Sequence, residues 1–192
     1  MTSEPPETSD VDLLARAMAG DEESFAMLYR RKQGALFRFA LQMSGRRSVA
    51  EEVTQEVFLV VIREGGRFDP RRGLLTGYLY GIARNCVLRC FERDRIYVPI
   101  DEDGDADGAR WAAKEDTLGD LTRGETIDSV RQAVLALPTN FREVVVLCDL
   151  HEMSYVDAAA ALDCAVGTVR SRLHRARGML LEKMKAGKRA FA

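Results

Sequence analysis

SYVDAAAALDCAVGTVRSRLHRARGML, running from Ser154 to Leu180, contains two helical periodicities separated by a break with room only for a tight turn. Ser154 and Asp157 form an N-cap pair, each able to satisfy the other's orphan backbone donor, which is worth about 1 kcal/mol. Behind that cap, Tyr155, Ala158, Ala159 and Leu162 fall at i, i+3, i+4 and i+7. They make a narrow face of mostly small residues that can press closely against a neighbour. The helix is expected to end near Asp163. Beyond it, Val166, Val169, Leu173, Ala176 and Leu180 recur at steps of three and four, a single buried stripe. The opposite side carries Ser171, His174 and Arg175, flanked by Arg170, Arg172 and Arg177. This is a helix-turn-helix pattern with an outward arginine row. An arginine at the centre of such a face can fork onto guanine edges, worth roughly 1–3 kcal/mol of discrimination, and flanking arginines suit phosphates. An arginine-rich helix alone could equally be solvated surface. The capped helix and short turn ahead of it favour DNA.

Overall charge does not announce a nucleic-acid binder: of 192 residues, 28 are Lys or Arg and 30 are Asp or Glu. The charge is segregated instead. Acid gathers in the leader (Glu4, Glu7, Asp10, Asp12) and from Asp101 to Asp120. Base gathers in Arg63–Arg72, Arg84–Arg95 and Arg170–Arg189. A hydrophobic content of 46% suits one or two small domains. There is no apolar run able to span a bilayer and no signal-peptide pattern, so no membrane insertion and a cytoplasmic location are expected. Cys86, Cys90, Cys148 and Cys164 show no CxxC or zinc spacing, and only His151 and His174 could assist them. No metal site and no cofactor are expected. Nor is there a nucleophile–base pair or phosphate loop, so catalysis is not expected.

The acidic run, glycine-containing and opened by Pro99, divides two helical blocks, and strand alternation is not evident in either. The fold class is all-α. In the first block a helix from Asp12 to Ala19 precedes a break at Gly20-Asp21. A longer helix follows, with Phe25, Leu28, Tyr29, Leu36, Phe39, Ala40 and Met43 inward and Gly45 at its end. Ser48 and Glu51 form an N-cap pair for the next, whose core stripe is Val49, Val53, Val57 and Val60. Its opposite side mixes Glu51, Gln55, Phe58, Leu59 and Ile62, so it is buried twice or docks a partner. The second block opens with a helix near Thr126 to Leu137, stopped by Pro138, and continues with a helix from Phe141 to Leu150.

The run AEEVTQEVFLVVIR resembles the polymerase-binding helix of bacterial sigma factors, and LYGIARN resembles the promoter-melting helix that follows it. With LPTNFREVVVL and VGTVRSRLHRAR, the chain from about Asp12 to Met184 is similar to compact sigma factors of the extracytoplasmic-function group. The resemblance implies two small helical domains, sigma region two and sigma region four, joined by a flexible acidic linker. The divisions are a disordered leader (1–10), the region-two domain (11–96), the linker (97–125), the region-four domain (126–185) and a basic tail (186–192).

By that resemblance, Glu52, Gln55, Glu56, Phe58 and Leu59 would meet the β′ clamp helices of core RNA polymerase, with the β flap a further contact. Taken alone, Glu52 and Glu56 read as solvated helix surface. The segment from Gly66 to Arg95 interleaves cations with Phe68, Tyr78, Tyr80 and Phe91, the composition that holds unpaired bases by stacking, at roughly 1–3 kcal/mol per base. Tyr78 reads mainly as packing. The resemblance places Arg67, Phe68, Arg71, Arg72, Tyr80, Arg84, Asn85 and Arg89 at the minus-ten element, with Asn85 reading a flipped base. Tyr78, Leu75 and Arg89 stand where the family often has tryptophan, phenylalanine and aspartate, departures that bear on the preferred minus-ten sequence. Arg170, Ser171, His174 and Arg175 would meet minus-35 bases, and Thr168 and Arg172 its phosphates.

Two DNA elements two duplex turns apart lie roughly 70 Å from each other. About 25 flexible residues coil to about 25–30 Å but extend to about 80 Å, so the linker must be drawn out on polymerase. The implied partners are core polymerase, promoter DNA and an anti-sigma factor. Two other classes fit parts of the pattern. A sigma mimic would need neither the basic aromatic loop nor the arginine row, and a free-standing repressor or activator would need a dimerisation element.

Overall fold

Short polar side chains set the starts of three helices among the described residues. The computed structural model describes residues 8–71, 73–97 and 121–190; the leader 1–7, Arg72, most of the acidic linker (98–120) and residues 191–192 lie outside them. Ser9 caps α1 (Asp10–Met18) by accepting the Asp12 N–H at 3.1 Å. Asp21 caps α2 (Glu22–Ser44) by accepting from Glu23 and Ser24 at 3.0 and 3.1 Å, and Gly45, at φ 69°, ends it in the left-handed region that favours glycine. The expected Ser48 cap does not form. α3 (Arg47–Glu64) begins one residue earlier, with no side-chain cap. The tight turn at Gly45 lets the buried Ser44 hydroxyl accept the Arg46 N–H instead, at 3.2 Å, and Arg47 pairs with Glu51 at 2.9 Å.

α1 to α4 (Leu75–Tyr97) form the N-terminal bundle, centred on Leu28, Phe39, Met43, Val53, Val57, Ala83 and Val87, all fully buried. The α3 stripe ends on Val61 rather than Val60, because four-residue steps from Val49 keep it on one line. Phe58, expected to face outward, is only 3% exposed and lies between Phe25 and Tyr29, with ring centroids at 6.1 and 4.6 Å. A helix flanked on two sides buries more than one stripe, and α3 is such a helix.

The C-terminal bundle comprises α5 (Leu121–Leu135), α6 (Thr139–Val145), a π-helical turn (Val146–Leu150), α7 (Tyr155–Ala161) and α8 (Val166–Ala190). α5 starts earlier than expected, and α8 continues into the stretch read as tail. Ser154 caps α7 through the Asp157 N–H at 3.1 Å, as the spacing predicts. Val169, Leu173 and Ala176 are buried beneath α8 as expected. Among the described residues there is no strand.

The two bundles pack against one another, chiefly through α4 and α7. Gly77 and Gly81 make that approach possible: a Cβ on Gly77 would lie 3.6 Å from the Asp157 carbonyl oxygen, and one on Gly81 3.4 Å from that of Ala161. Beside the crossing, the buried Arg142 guanidinium of α6 donates to the Leu137 carbonyl at 2.9 Å and to those of Leu135 and, in the other bundle, Met43. Arg142→Ala strands the Met43 and Leu137 carbonyls, whose hydrogen bonds are buried, each costing about 1–3 kcal/mol, and the half-buried Leu135 carbonyl. A loss of about 3 kcal/mol is expected in urea unfolding followed by circular dichroism.

Candidate nucleic-acid interfaces

α8 presents what its periodicity foretells. With Val169, Leu173 and Ala176 buried, Arg170, Ser171, His174 and Arg175 are exposed, and Thr168 and Arg172 are half-buried at the edges of the face. His174 and Arg175 make no hydrogen bond or ion pair among the described residues. Arg170 lies over the Tyr155 ring, 5.9 Å from its centroid. Arg177 forks onto Asp149 at 3.1 and 2.6 Å and is therefore engaged within the bundle. The middle of the row is open to a ligand, and one of its flanks is tied down.

The basic aromatic segment is only partly on the surface. Phe68 packs on Tyr78 at 5.4 Å between centroids, which supports the reading of Tyr78 as packing. Arg67 pairs with Glu64 at 2.6 Å, and the Arg71 N–H donates to Asp69 at 3.0 Å, leaving the Arg71 side chain exposed. Arg72 lies outside the described residues. Asn85 is exposed on α4, its Oδ1 3.4 Å from Arg84 Nη1. Arg89 is exposed and donates to Cys86 Sγ at 3.1 Å. Burial nonetheless pushes the Cys86 thiol above its ordinary pKa, with Arg89 opposing, and burial likewise raises Cys90 and moves Cys148 to about 11.

Tyr80 is not available at the surface as the sequence suggests: it is 5% exposed, because His151 lies over it. Its hydroxyl meets His151 Nδ1 at 2.7 Å, and His151 Nε2 meets Gln42 Oε1 at 2.8 Å. A neutral ring accepting from tyrosine and donating to the amide satisfies all three groups. Phe39 stacks edge-on against both rings, at 5.2 and 6.1 Å. Burial, assisted by the nearby Arg38 charge, lowers the His151 pKa to about 4, and burial raises Tyr80 to about 12. One turn along α4, Arg84 Nε donates to Glu143 of α6 at 2.7 Å. Glu143 is 2% exposed; burial raises its carboxyl pKa and Arg84 opposes that.

On the other side of the N-terminal bundle, α2 and α3 enclose a groove of about 860 Å³ lined by Phe25, Tyr29, Phe37, Gln55, Phe58, Leu59 and Ile62. Gln55, Leu59 and Ile62 are exposed at its rim, while Phe58 forms a wall. Glu52 is held bidentate by Arg93 at 2.7 and 3.0 Å, which lowers its pKa, and Glu56 pairs with Arg63 at 3.2 Å.

Sequence reasoning missed Gln42, Glu143 and His151, because no local pattern links them to α4. Tyr80 and His151 are 71 positions apart, and Gln42 and His151 are 109 apart.

Residues 28–95 match the family description "Sigma-70 region 2", and residues 127–180 match "Sigma-70, region 4". The chain is 35% identical to the ECF RNA polymerase sigma factor SigE of Mycolicibacterium smegmatis over 82% of its own length and 60% of that protein's. It is 31% identical to the RNA polymerase sigma-H factor of Pseudomonas aeruginosa over 88% of its length and 90% of that protein's. Among solved structures it resembles the sigma factor RpoE bound to the anti-sigma factor NepR from Bartonella quintana. The TM-score is 0.66 and the identity 27%, with 85% of this chain and 98% of that one covered.

Because the folded His151 pKa lies near 4 against 6.5 for the free side chain, protonation favours the unfolded chain. The stability tied to the neutral ring is complete above the unfolded value and is lost as pH falls from there toward 4. In thermal melts from about pH 7 to about pH 4.5, the wild type's advantage over His151→Gln should narrow steadily.

Proposed function

The chain belongs to the extracytoplasmic-function group of the sigma-70 family, and from that premise we propose that it binds core RNA polymerase, brings it to promoters and helps open the duplex there. It acts in the cytoplasm, has no catalytic activity of its own, and is built from a region-two and a region-four domain. The observation that carries this reading is α8's open arginine face above a buried stripe, on the same chain as an apolar-rimmed groove in the other bundle.

At the minus-35 element, Arg170, Ser171, His174 and Arg175 face base edges, and Thr168 and Arg172 hold phosphates. The minus-ten element is read by Arg67, Phe68, Arg71, Arg72, Arg84, Asn85 and Arg89, together with Tyr80 once it is uncovered. Core polymerase docks on the α2–α3 groove. Leu59 supplies contact area, Gln55 a polar match, and Phe58 the wall behind them. Glu52 and Glu56, now paired with Arg93 and Arg63, exchange those partners for groups on the clamp helices. Such exposed pairs contribute only about 0–1 kcal/mol and are readily exchanged. The Bartonella relative solved with its anti-sigma factor supports a partner of that kind here.

Run-off transcription with core polymerase tests the reading directly. Arg175→Ala should cost about 1–3 kcal/mol of discrimination at one minus-35 position and leave core binding intact. Gln55→Ala combined with Leu59→Ala should weaken core binding about tenfold, while DNA contacts of region four persist. Loss of core binding in the first variant would reverse the assignment of faces.

A further inference from the structure

We propose that Cys86 and Cys90, one turn apart on α4, form a two-coordinate site for a soft monovalent cation such as Cu+, with Arg89 supplying the countercharge. The two side chains open into one cavity of about 260 Å³ between α3 and α4, whose polar walls are Glu52 and Glu56 on one helix and Arg89 and Arg93 on the other. Promoter recognition does not call for such a site, and its presence does not depend on promoter recognition.

Spacing decides what these two sulfurs can do. Side chains four apart on a helix stand side by side, with Cβ atoms about 5–6 Å apart, whereas a disulfide needs about 3.5–4.5 Å. A linear sulfur–metal–sulfur unit with bonds of about 2.3 Å sets its sulfurs about 4.5 Å apart, which suits the wider spacing. The other donors around the cavity are already engaged. Arg93 forks onto Glu52 at 2.7 and 3.0 Å, and Arg63 takes Glu56 at 3.2 Å, so neither carboxylate is free for a hard cation. Among the described residues no group of three His, Cys, Asp or Glu side chains is placed to hold a metal ion. The tetrahedral set that zinc takes is therefore lacking, and a pair of sulfurs selects Cu+ by its softness. Burial of both thiols, at 4% and 5% exposure, keeps water and competing ligands away from the ion. On binding, two metal–sulfur bonds form, both S–H bonds break, and the two protons leave to water. The bis-thiolate unit then carries one net negative charge. Arg89, whose Nη2 donates to Cys86 Sγ at 3.1 Å, is positioned to balance it. The aspartate that the family often has at this position would repel it.

The test uses the full chain carrying Cys148→Ser and Cys164→Ser and kept reduced, so that Cys86 and Cys90 supply its remaining thiols. Cu+ presented as its bis-ferrozine complex should pass to the protein at one ion per chain, read as loss of the chelator's visible absorbance. Cys86→Ala and Cys90→Ala should each weaken uptake by more than about 100-fold, and Arg89→Ala by about 10- to 100-fold. Zn2+ at the same concentration should not compete. Copper X-ray absorption of the loaded chain should show two sulfur neighbours and no nitrogen or oxygen neighbour. That measurement needs no substitution in the cavity, so it decides the matter if a cavity variant loses its helical circular dichroism. Failure of uptake, uptake that survives loss of either sulfur, half an ion per chain, effective competition by Zn2+, or a shell other than two sulfurs each overturns the site. Unchanged affinity in Arg89→Ala overturns the countercharge.

Discussion

Close approach between α4 and α7 is the constraint on which the remaining arrangement depends. Two glycines one turn apart remove the side chains that would hold the helices separate, and Ala161 supplies an equally small surface opposite. At that separation Tyr80 and Arg84 reach across to His151 and Glu143 with ordinary hydrogen-bond geometry. Arg142 ties the same seam to the Met43 carbonyl at the end of α2. α4 therefore serves two cores: one side completes the N-terminal bundle, and the other is the seat of the C-terminal one.

The arginines sort by what they already hold. Arg67 and Arg177 are paired with carboxylates at half-exposed positions, where water competes with the partner and a phosphate could replace it at little cost. Arg84 is different, because its carboxylate is buried and would be left unpaired by a simple withdrawal. Arg175 carries no such obligation. The outward face of α8 is thus open as it stands, while on α4 Tyr80 and Arg84 are already held by residues of the other bundle.

Much of this was legible in the sequence. The helix-turn-helix from Ser154 onward, its cap, its buried stripe and its outward arginines follow from spacing alone, because each depends on residues within two turns of one another. Phe58 and Tyr80 were misplaced for a common reason. Periodicity assigns a helix one buried face, and α3 and α4 each have more than one. The Ser48 cap is missing because α3 already begins at Arg47, which places Ser48 inside the helix rather than ahead of it. His151 and Gln42 could not be found at all, since their partnership exists only after two bundles meet.

Burial of the cysteines bears on chemistry of another kind. Attack on peroxide requires a thiolate, and the surroundings of Cys86, Cys90 and Cys148 all favour the protonated thiol. Sulfenic acid formation at these three positions is accordingly slow. At these three positions peroxide meets sulfur held in its less nucleophilic form, unlike thiols that their surroundings keep ionised.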